Sequence, residues 1–490
     1  MNDTPTPINA GAAAAAVDSP EEQSGVIVSL YQKHRKIYAR AVTGQFAQWR
    51  WGLVWFTQIL FYCLPWLQWN GRQALLFDLV SRRFYIFGLV LYPQDLIYLS
   101  ALLMISAYAL FLFTAVAGRL WCGYACPQTV YTEIFMWFER HIEGDRAQRM
   151  RLDSGPWNWN KLWRKTGKQA VWVAFALVTG FSFVGYFTPI RTLAAELVSF
   201  GFGPWEWFWV LFYSFATYGN AGFMREQVCK YMCPYARFQS AMFDKDTLII
   251  TYDKERGEPR GARGRKADPA KLGLGSCVDC DLCVQVCPTG IDIRNGLQYE
   301  CIGCAACVDV CNGIMDKMGY ARGLVRYGTQ NGLAQHLDKS TTLKRILRPR
   351  VLVYTAILIL ILTLFAVSIA IRDPFRVDVV RDRASLARIV EDGKIENVYR
   401  LQIMNNAEIK QRYRVRVDGL PGIVANERAD VEVGPAEAQW ITLGVQLPFP
   451  AAQQAGPGAH PIRFEIERLA SSQDPKAVTL HEKSTFVVPR

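Results

Sequence analysis

The residues best able to do chemistry in this chain are its cysteines, thirteen in 490 residues, with none after Cys311. Residues 277–287 read Cys-Val-Asp-Cys-Asp-Leu-Cys-Val-Gln-Val-Cys and precede Pro288, a C-x2-C-x2-C-x3-C-P run. Cys301, Cys304, Cys307 and Cys311 repeat the spacing, with Asn312 in place of the proline. Two such runs form the bacterial two-cluster ferredoxin pattern, in which the fourth cysteine of each run ligates the other run's cluster. The spacing therefore predicts one [4Fe–4S] cluster on Cys277, Cys280, Cys283 and Cys311, and a second on Cys287, Cys301, Cys304 and Cys307. Structural zinc sites pair two C-x2-C halves across a longer spacer. Three cysteines at successive x2 intervals suit one face of a cubane instead.

A second constellation is a pair of CxxxCP motifs, Cys122-Gly-Tyr-Ala-Cys126-Pro127 and Cys229-Lys-Tyr-Met-Cys233-Pro234. Gly118-Arg119 precedes the first, Met224-Arg225 precedes the second, and an aromatic-rich stretch follows each proline, which together suggest an internal duplication. Proline favours the first position of a helix, so Cys126 and Cys233 are expected as N-caps. A thiol facing the positive end of a helix has a lowered pKa. Four soft thiolates brought together would favour Cu(I), zinc or a further iron–sulfur site over hard cations. Cys63, alone in an apolar stretch, reads as a small hydrophobe.

These motifs need elements to hold them, and the composition names the solvent. The chain is 51% hydrophobic and 20% charged, and uncharged apolar runs lie at about 51–68, 97–117, 169–188, 207–222 and 351–371. Each is near the ~20 residues that cross a bilayer as a helix, so five transmembrane helices are expected. The net charge of +12 follows the loops between them. Residues 31–50 hold five Lys/Arg and no acid, 117–168 hold nine against five, and 225–350 hold twenty against fourteen. Residues 70–96 hold three Lys/Arg and 188–204 one. Excess Lys and Arg marks cytoplasmic loops, which puts the N-terminus and both cysteine constellations in the reducing cytoplasm, where disulfides are disfavoured. Residues 372–490, with 17 Lys/Arg and 16 Asp/Glu, fall on the periplasmic side. Neither stacking aromatics nor a reading helix accompanies the basic loops, so nucleic-acid binding is not expected. Trp49, Trp51, Trp66, Trp69, Trp205 and Trp207 sit at the ends of apolar runs, as interfacial anchors do.

All five histidines (His34, His141, His336, His460 and His481) lie outside the apolar runs, so no pair of them holds a haem within the bilayer. The chain also has no G-x-x-x-x-G-K-[ST] and no G-x-G-x-x-G between strand and helix, so its electrons are expected to come from a partner. After residue 372 the periodicity becomes two: Tyr399, Leu401 and Ile403, then Tyr413, Val415 and Val417, then Ile462, Phe464 and Ile466 alternate with polar residues or Met404. Alternation separated by Gly/Pro/Asn clusters reads as half-buried strands of an immunoglobulin-like β-sandwich.

The order of parts resembles a known family. A span followed by Trp121-Cys122-Gly-Tyr-Ala-Cys126-Pro127, a second CxxxCP, Gln298-Tyr-Glu-Cys301-Ile-Gly-Cys304-Ala-Ala-Cys307, Met315-Asp-Lys-Met-Gly-Tyr320, a last span and a sandwich are similar to the CcoG/FixG/RdxA family of cytochrome c oxidase accessory proteins. The resemblance implies a multi-pass inner-membrane protein that assists assembly of a cbb3-type oxidase by reducing Cu(II) to Cu(I), with Cys122, Cys126, Cys229 and Cys233 handling copper. It implies as partners the oxidase assembly machinery, a copper chaperone or transporter and an electron donor of unknown identity, and leaves a homodimer open. Two other readings stand beside it: a quinol dehydrogenase-like electron-transfer subunit, and a non-enzymatic copper-binding scaffold. The expected domains are a cytoplasmic tail (1–45), a four-helix membrane domain with both CxxxCP motifs (46–250), a ferredoxin-like domain with two [4Fe–4S] clusters (251–350), a fifth span (351–371) and a periplasmic sandwich (372–490).

Overall fold

The computed structural model describes residues 36–337, 341, 344–382, 387–426, 430–470 and 476–489. Residues 1–35, most of the expected N-terminal tail, lie outside the described residues. The helices of the N-terminal half are α1 (Gln45–Cys63), α2 (Leu96–Ala117), α3 (Leu120–Tyr124), α4 (Pro127–Glu143), α5 (Arg146–Ser154), α6 (Trp159–Val184), α7 (Ile190–Ser199), α8 (Pro204–Thr217) and α9 (Pro234–Met242). Among the described residues, three helical stretches are long and apolar enough to cross a membrane: Pro93–Ala117, Trp159–Val184 and Pro349–Ala370. The chain is thus a membrane protein. The other two expected spans take different forms. α1 has 19 residues and carries Arg50 and three glutamines, while α8 stops after 14 residues and continues as π-helical turns over Tyr218–Met224.

The long helices run between two ends of the structure. At one end the expected loop 70–96 is instead a small antiparallel sheet of Leu75–Asp78, Arg83–Ile86 and Leu89–Leu91. It receives the end of α6, where the Phe77 amide donates to the Tyr186 carbonyl at 2.7 Å and Gln73 Nε2 donates to the Gly185 carbonyl at 2.7 Å. At the other end, the first amides of α1 (Phe46 and Ala47) donate to the Asp309 carboxylate at 3.2 and 2.8 Å. The free N–H groups of that helix start are thereby satisfied by the ferredoxin-like region. Nearby, Glu139 and Glu143 are fully buried and pair with Arg149 (2.8 Å), Arg225 (3.0 Å) and Lys168 (2.9 Å). Buried charges need such partners, and this network ties α4, α5, α6 and the π-turn together.

The C-terminal domain is a sandwich of two antiparallel sheets. One runs Val424–Ala425, Ala438–Leu447, Ile395–Asn405, Phe375–Arg381, with Arg388–Ile389 also pairing Ile395–Asn405. The other runs Asp430–Val433, Gln411–Asp418, Gly458–Arg468, Val478–Val488. Tyr399, Leu401, Ile403, Tyr413, Val415, Ile462, Phe464 and Ile466 all point into the core, as their alternation predicts, whereas Val417 is half-buried at the strand end. Met404 departs from the pattern. It is buried on the opposite side, against Leu76, Tyr85, Val90 and Tyr92 of the small sheet, because the sandwich docks there. Asp95 pairs with Arg372 and, at 3.0 Å, with Arg376, locking that junction.

Candidate iron–sulfur and thiol site

The two ferredoxin runs share a local backbone. In the first, Asp279 and Asp281 flank Cys280 with φ of 50° and 54°; in the second, Gly303 and Ala305 flank Cys304 with φ of 69° and 58°. Left-handed residues at both flanks turn successive amides toward one side, forming the kind of backbone nest that holds anionic clusters. Glycine takes this conformation freely and aspartate better than most residues.

Around these turns lie two cavities. Cys277, Cys280, Cys283 and Cys311 line one, with Tyr252 and Met315 in its wall. Cys287, Cys301, Cys304 and Cys307 line the other, together with Cys283, which borders both. Each fourth cysteine therefore faces the opposite run's trio. Among the described residues, no three His, Cys, Asp or Glu side chains are placed to hold a single metal ion. Burial pushes the thiols of Cys283 and Cys301 up to about 12 and that of Cys311 to about 11, and raises those of Cys304 and Cys307. Binding a metal group there must expel protons. Arg119 supplies a further sign of fit. It is 5% exposed, its terminal nitrogens donate to the Tyr299 and Ala236 carbonyls, its Nε has no partner, and it makes no ion pair among the described residues. An unpaired buried cation is costly, and an anionic iron–sulfur group beside Cys301 would compensate it.

The CxxxCP motifs lie directly against this region. Cys126 caps α4 and Cys233 caps α9, each with proline at the first helical position. The expected acid shift at Cys126 is not found. Burial raises its thiol and outweighs the amides of Gln128 and Thr129, which pull the other way. Burial likewise pushes Cys122 up to about 12 and Cys229 to about 11, and the neighbouring motif cysteines add to both. The four thiols of Cys122, Cys126, Cys229 and Cys233 thus lie within electrostatic reach of one another. Cys63 stands apart from the chemistry, exposed at the last position of α1.

The internal duplication is real in the backbone, but its register differs by one residue from the sequence alignment. Gly118 (φ 55°, ψ −124°) and Arg225 (φ 40°, ψ −112°) make the same break, each four residues before the first cysteine. Arg119 therefore matches Glu226, a buried cation against a buried acid. The first motif is also pressed onto the second ferredoxin run: a Cβ on Gly123 would lie 2.8 Å from the Ile302 carbonyl oxygen and 2.9 Å from Cys304 Cα and N. Cys229 and Cys304 line a common cavity with Arg50 and Glu133. Sequence reading gives no role to Gly123 or Arg50 and takes Arg119 only as a mark of the duplication; the glycine inside a CxxxCP motif is the one available signal for the close packing.

The fold and the cysteine sites define the class: a membrane iron–sulfur protein with an immunoglobulin-like domain. Comparison with known families agrees. Residues 224–330 match a 4Fe-4S dicluster domain, residues 99–143 a 4Fe-4S binding domain, and residues 365–489 the Ig-like fold at the C-terminal of FixG. The nitrogen fixation protein FixG of Rhizobium meliloti is 36% identical over 448 residues, 85% of each chain. In Cereibacter sphaeroides, protein RdxA is 37% identical over 438 residues (87% of this chain, 92% of its own) and protein RdxB 35% over 473 (93% and 97%). The chain belongs to the FixG/RdxA family.

Proposed function

We propose that this protein reduces Cu(II) to Cu(I) on the cytoplasmic face of the inner membrane, in support of cbb3-type oxidase assembly, with copper as its substrate. The observation that carries this reading is the packing of both CxxxCP motifs against the second ferredoxin run, the first through Gly123 and the second through the cavity that Cys229 shares with Cys304. In this reading Cys277, Cys280, Cys283 and Cys311 hold one [4Fe–4S] cluster, and Cys287, Cys301, Cys304 and Cys307 the other. Such clusters supply electrons singly when bound, as the Cu(II)/Cu(I) couple requires. Cys122, Cys126, Cys229 and Cys233 offer soft sulfur ligands to Cu(I). The five-span topology belongs to the same reading and is supported by α1 and α8, which run between the same two ends as the three long helices.

The test uses full-length protein purified without oxygen and reduced with dithionite. Addition of Cu(II) is expected to abolish the reduced-cluster EPR signal and yield chelatable Cu(I). Cys122→Ser and Cys229→Ser variants should lose this while keeping their iron. Reoxidation by a quinone analogue but not by copper would instead support the quinol dehydrogenase reading.

A second reading has its own observation. The 4Fe-4S binding match over residues 99–143 contains only Cys122 and Cys126, so the four CxxxCP cysteines would hold a third iron–sulfur group. Iron analysis separates the two, at about eight or about twelve atoms per chain.

A further inference from the structure

We infer that the ferredoxin end of the membrane helices carries a binding site for the phosphate headgroup of an anionic phospholipid. The site is a cavity bordered by the second turn of α1, the second half of α4, the start of α5 and residues 39–42, with Val286, Pro288 and Ala306 of the ferredoxin-like region in its wall. Four arginines, Arg40, Arg50, Arg140 and Arg149, line it against two carboxylates, Glu133 and Asp145. Asp145 accepts the Ala41 amide at 3.1 Å, and Glu133 comes no closer to Arg50 than 3.9 Å. Behind the wall, Glu139 takes Arg149 at 2.8 Å, but it also serves Arg225 (3.0 Å) and Lys168 (3.6 Å).

The remaining cations have room for an anion. The side chains of Arg40 and Arg140 make no ion pair and no hydrogen bond among the described residues. Arg50 is 6% exposed, makes no hydrogen bond among them either, and has an unpartnered Nε. A buried guanidinium in that condition is costly unless an anion meets it. Cys304, across a second cavity, and Asp309 answer part of the Arg50 charge, which leaves Arg40 and Arg140 as the main holds. Guanidinium forks match phosphate oxygens in pairs. The surroundings assign that phosphate to a lipid. Trp51 and Trp137 stand in the wall, edge to face with ring centroids 6.4 Å apart, and Trp49, Trp157 and Trp163 are exposed at the same end of the helices. Indole rings at helix ends mark the headgroup level of a bilayer, and basic pockets at that level collect acidic headgroups. Val286 and Pro288 flank Cys287, and Ala306 precedes Cys307. A lipid held here would therefore brace the ferredoxin-like region against α1 and α4, whatever the thiols of the CxxxCP motifs bind.

Native mass spectrometry of the full-length, iron-loaded protein in detergent tests this, with phosphatidylglycerol and phosphatidylcholine as probes. One phosphatidylglycerol per chain should survive activation that strips phosphatidylcholine. The double variant Arg40→Gln/Arg140→Gln should bind it about tenfold more weakly with iron content unchanged, and Arg40→Lys/Arg140→Lys should recover most of the loss. Arg151→Gln, an exposed arginine at the same end but outside the cavity, should have no effect. Equal retention of the two lipids, undiminished binding by the double glutamine variant, or an equal loss with Arg151→Gln would overturn the inference. Displacement of the lipid by inorganic phosphate would overturn its assignment to the bilayer and make the site one for a soluble anion. A double variant that loses iron would be read instead through the lysine pair, whose failure to bind phosphatidylglycerol with iron intact would count against the site.

Discussion

Gly123 and Lys230 occupy the same place in the two CxxxCP motifs, one residue after the first cysteine, and their surroundings are opposite. Gly123 is buried where the backbone of Ile302 and Cys304 leaves no room for a Cβ, while Lys230 is half-exposed. The helix after the first motif is α4, 17 residues long and anchored by buried ion pairs; the helix after the second is α9, nine residues. Equal spacing thus supports unequal jobs. The first motif is clamped to the ferredoxin-like region, and the second meets it across the cavity that Cys229 shares with Cys304.

Breaking the clamp should have the largest effect. Gly123→Ala puts a methyl group within 3 Å of backbone atoms that cannot swing away. Overpacking of this kind costs typically 1–3 kcal/mol and at times more, here roughly 3. The variant should lose iron from the second ferredoxin site and melt earlier in detergent. Lys230→Ala, its counterpart, should change neither iron content nor melting.

Acidity comes next. The thiols of Cys122 and Cys229, held up to about 12 and about 11 by burial, are protonated throughout the neutral range. A soft cation that takes both must release two protons, so its apparent affinity should rise with pH, by roughly 100-fold per unit between pH 6 and 8. Competition with a Cu(I) chelator across that range reads the slope. A tenfold slope would mean that only one of the two thiols binds as thiolate, and the motifs would then be less alike in use than in spacing.

The charges at matching positions should pull in opposite directions. Arg119 eases ionisation of Cys122 and Cys229, whereas Glu226 opposes that of Cys229. Arg119→Gln should weaken Cu(I) binding about tenfold and Glu226→Gln should strengthen it a few-fold, as interactions of about 1 kcal/mol between partly screened charges allow. Shifts of the same sign in the chelator competition would show that packing, not charge, separates the motifs.

Where one sequence position has one environment, the chain could be read directly. Tyr399, Leu401 and Ile403 alternate because the sandwich strand is buried on that face, and the C-x2-C-x2-C runs fix their own geometry within a few residues. Contacts between distant segments left weaker marks. Met404 looks outward until residues 75–91 are known to cover it. The thiol of Cys126 was expected to be acidic from its capping position, but tertiary burial overrides the local field. Arg225 occupies a left-handed break that its neighbours' sequence aligns one residue away, because side-chain identity at that break is free while backbone shape is not. Arg119 could not be weighed at all, since its isolation depends on what surrounds it in three dimensions.

The smallest predicted effect probes the pseudo-symmetry itself. Gln239, fully buried in α9, lies ten residues after Cys229 and reaches the other motif: the Cys122 thiol donates to its Oε1 at 3.4 Å, and its Nε2 donates to Thr114 Oγ1 at 3.3 Å. The matching residue after Cys122 is Thr132 in α4, which lines the same cavity as Cys229. Each helix therefore carries a polar side chain toward the other motif's first cysteine, but only Gln239 makes a hydrogen bond to it. A thiol is a weak donor, and Thr114 keeps its bonds to Tyr235 (2.6 Å) and Leu110 (2.8 Å) without Gln239. Gln239→Leu should therefore change Cu(I) affinity by less than about threefold, under 1 kcal/mol, and Thr132→Val by less still. A larger response from Thr132→Val would reverse the comparison, making the second motif the more tightly supported of the two.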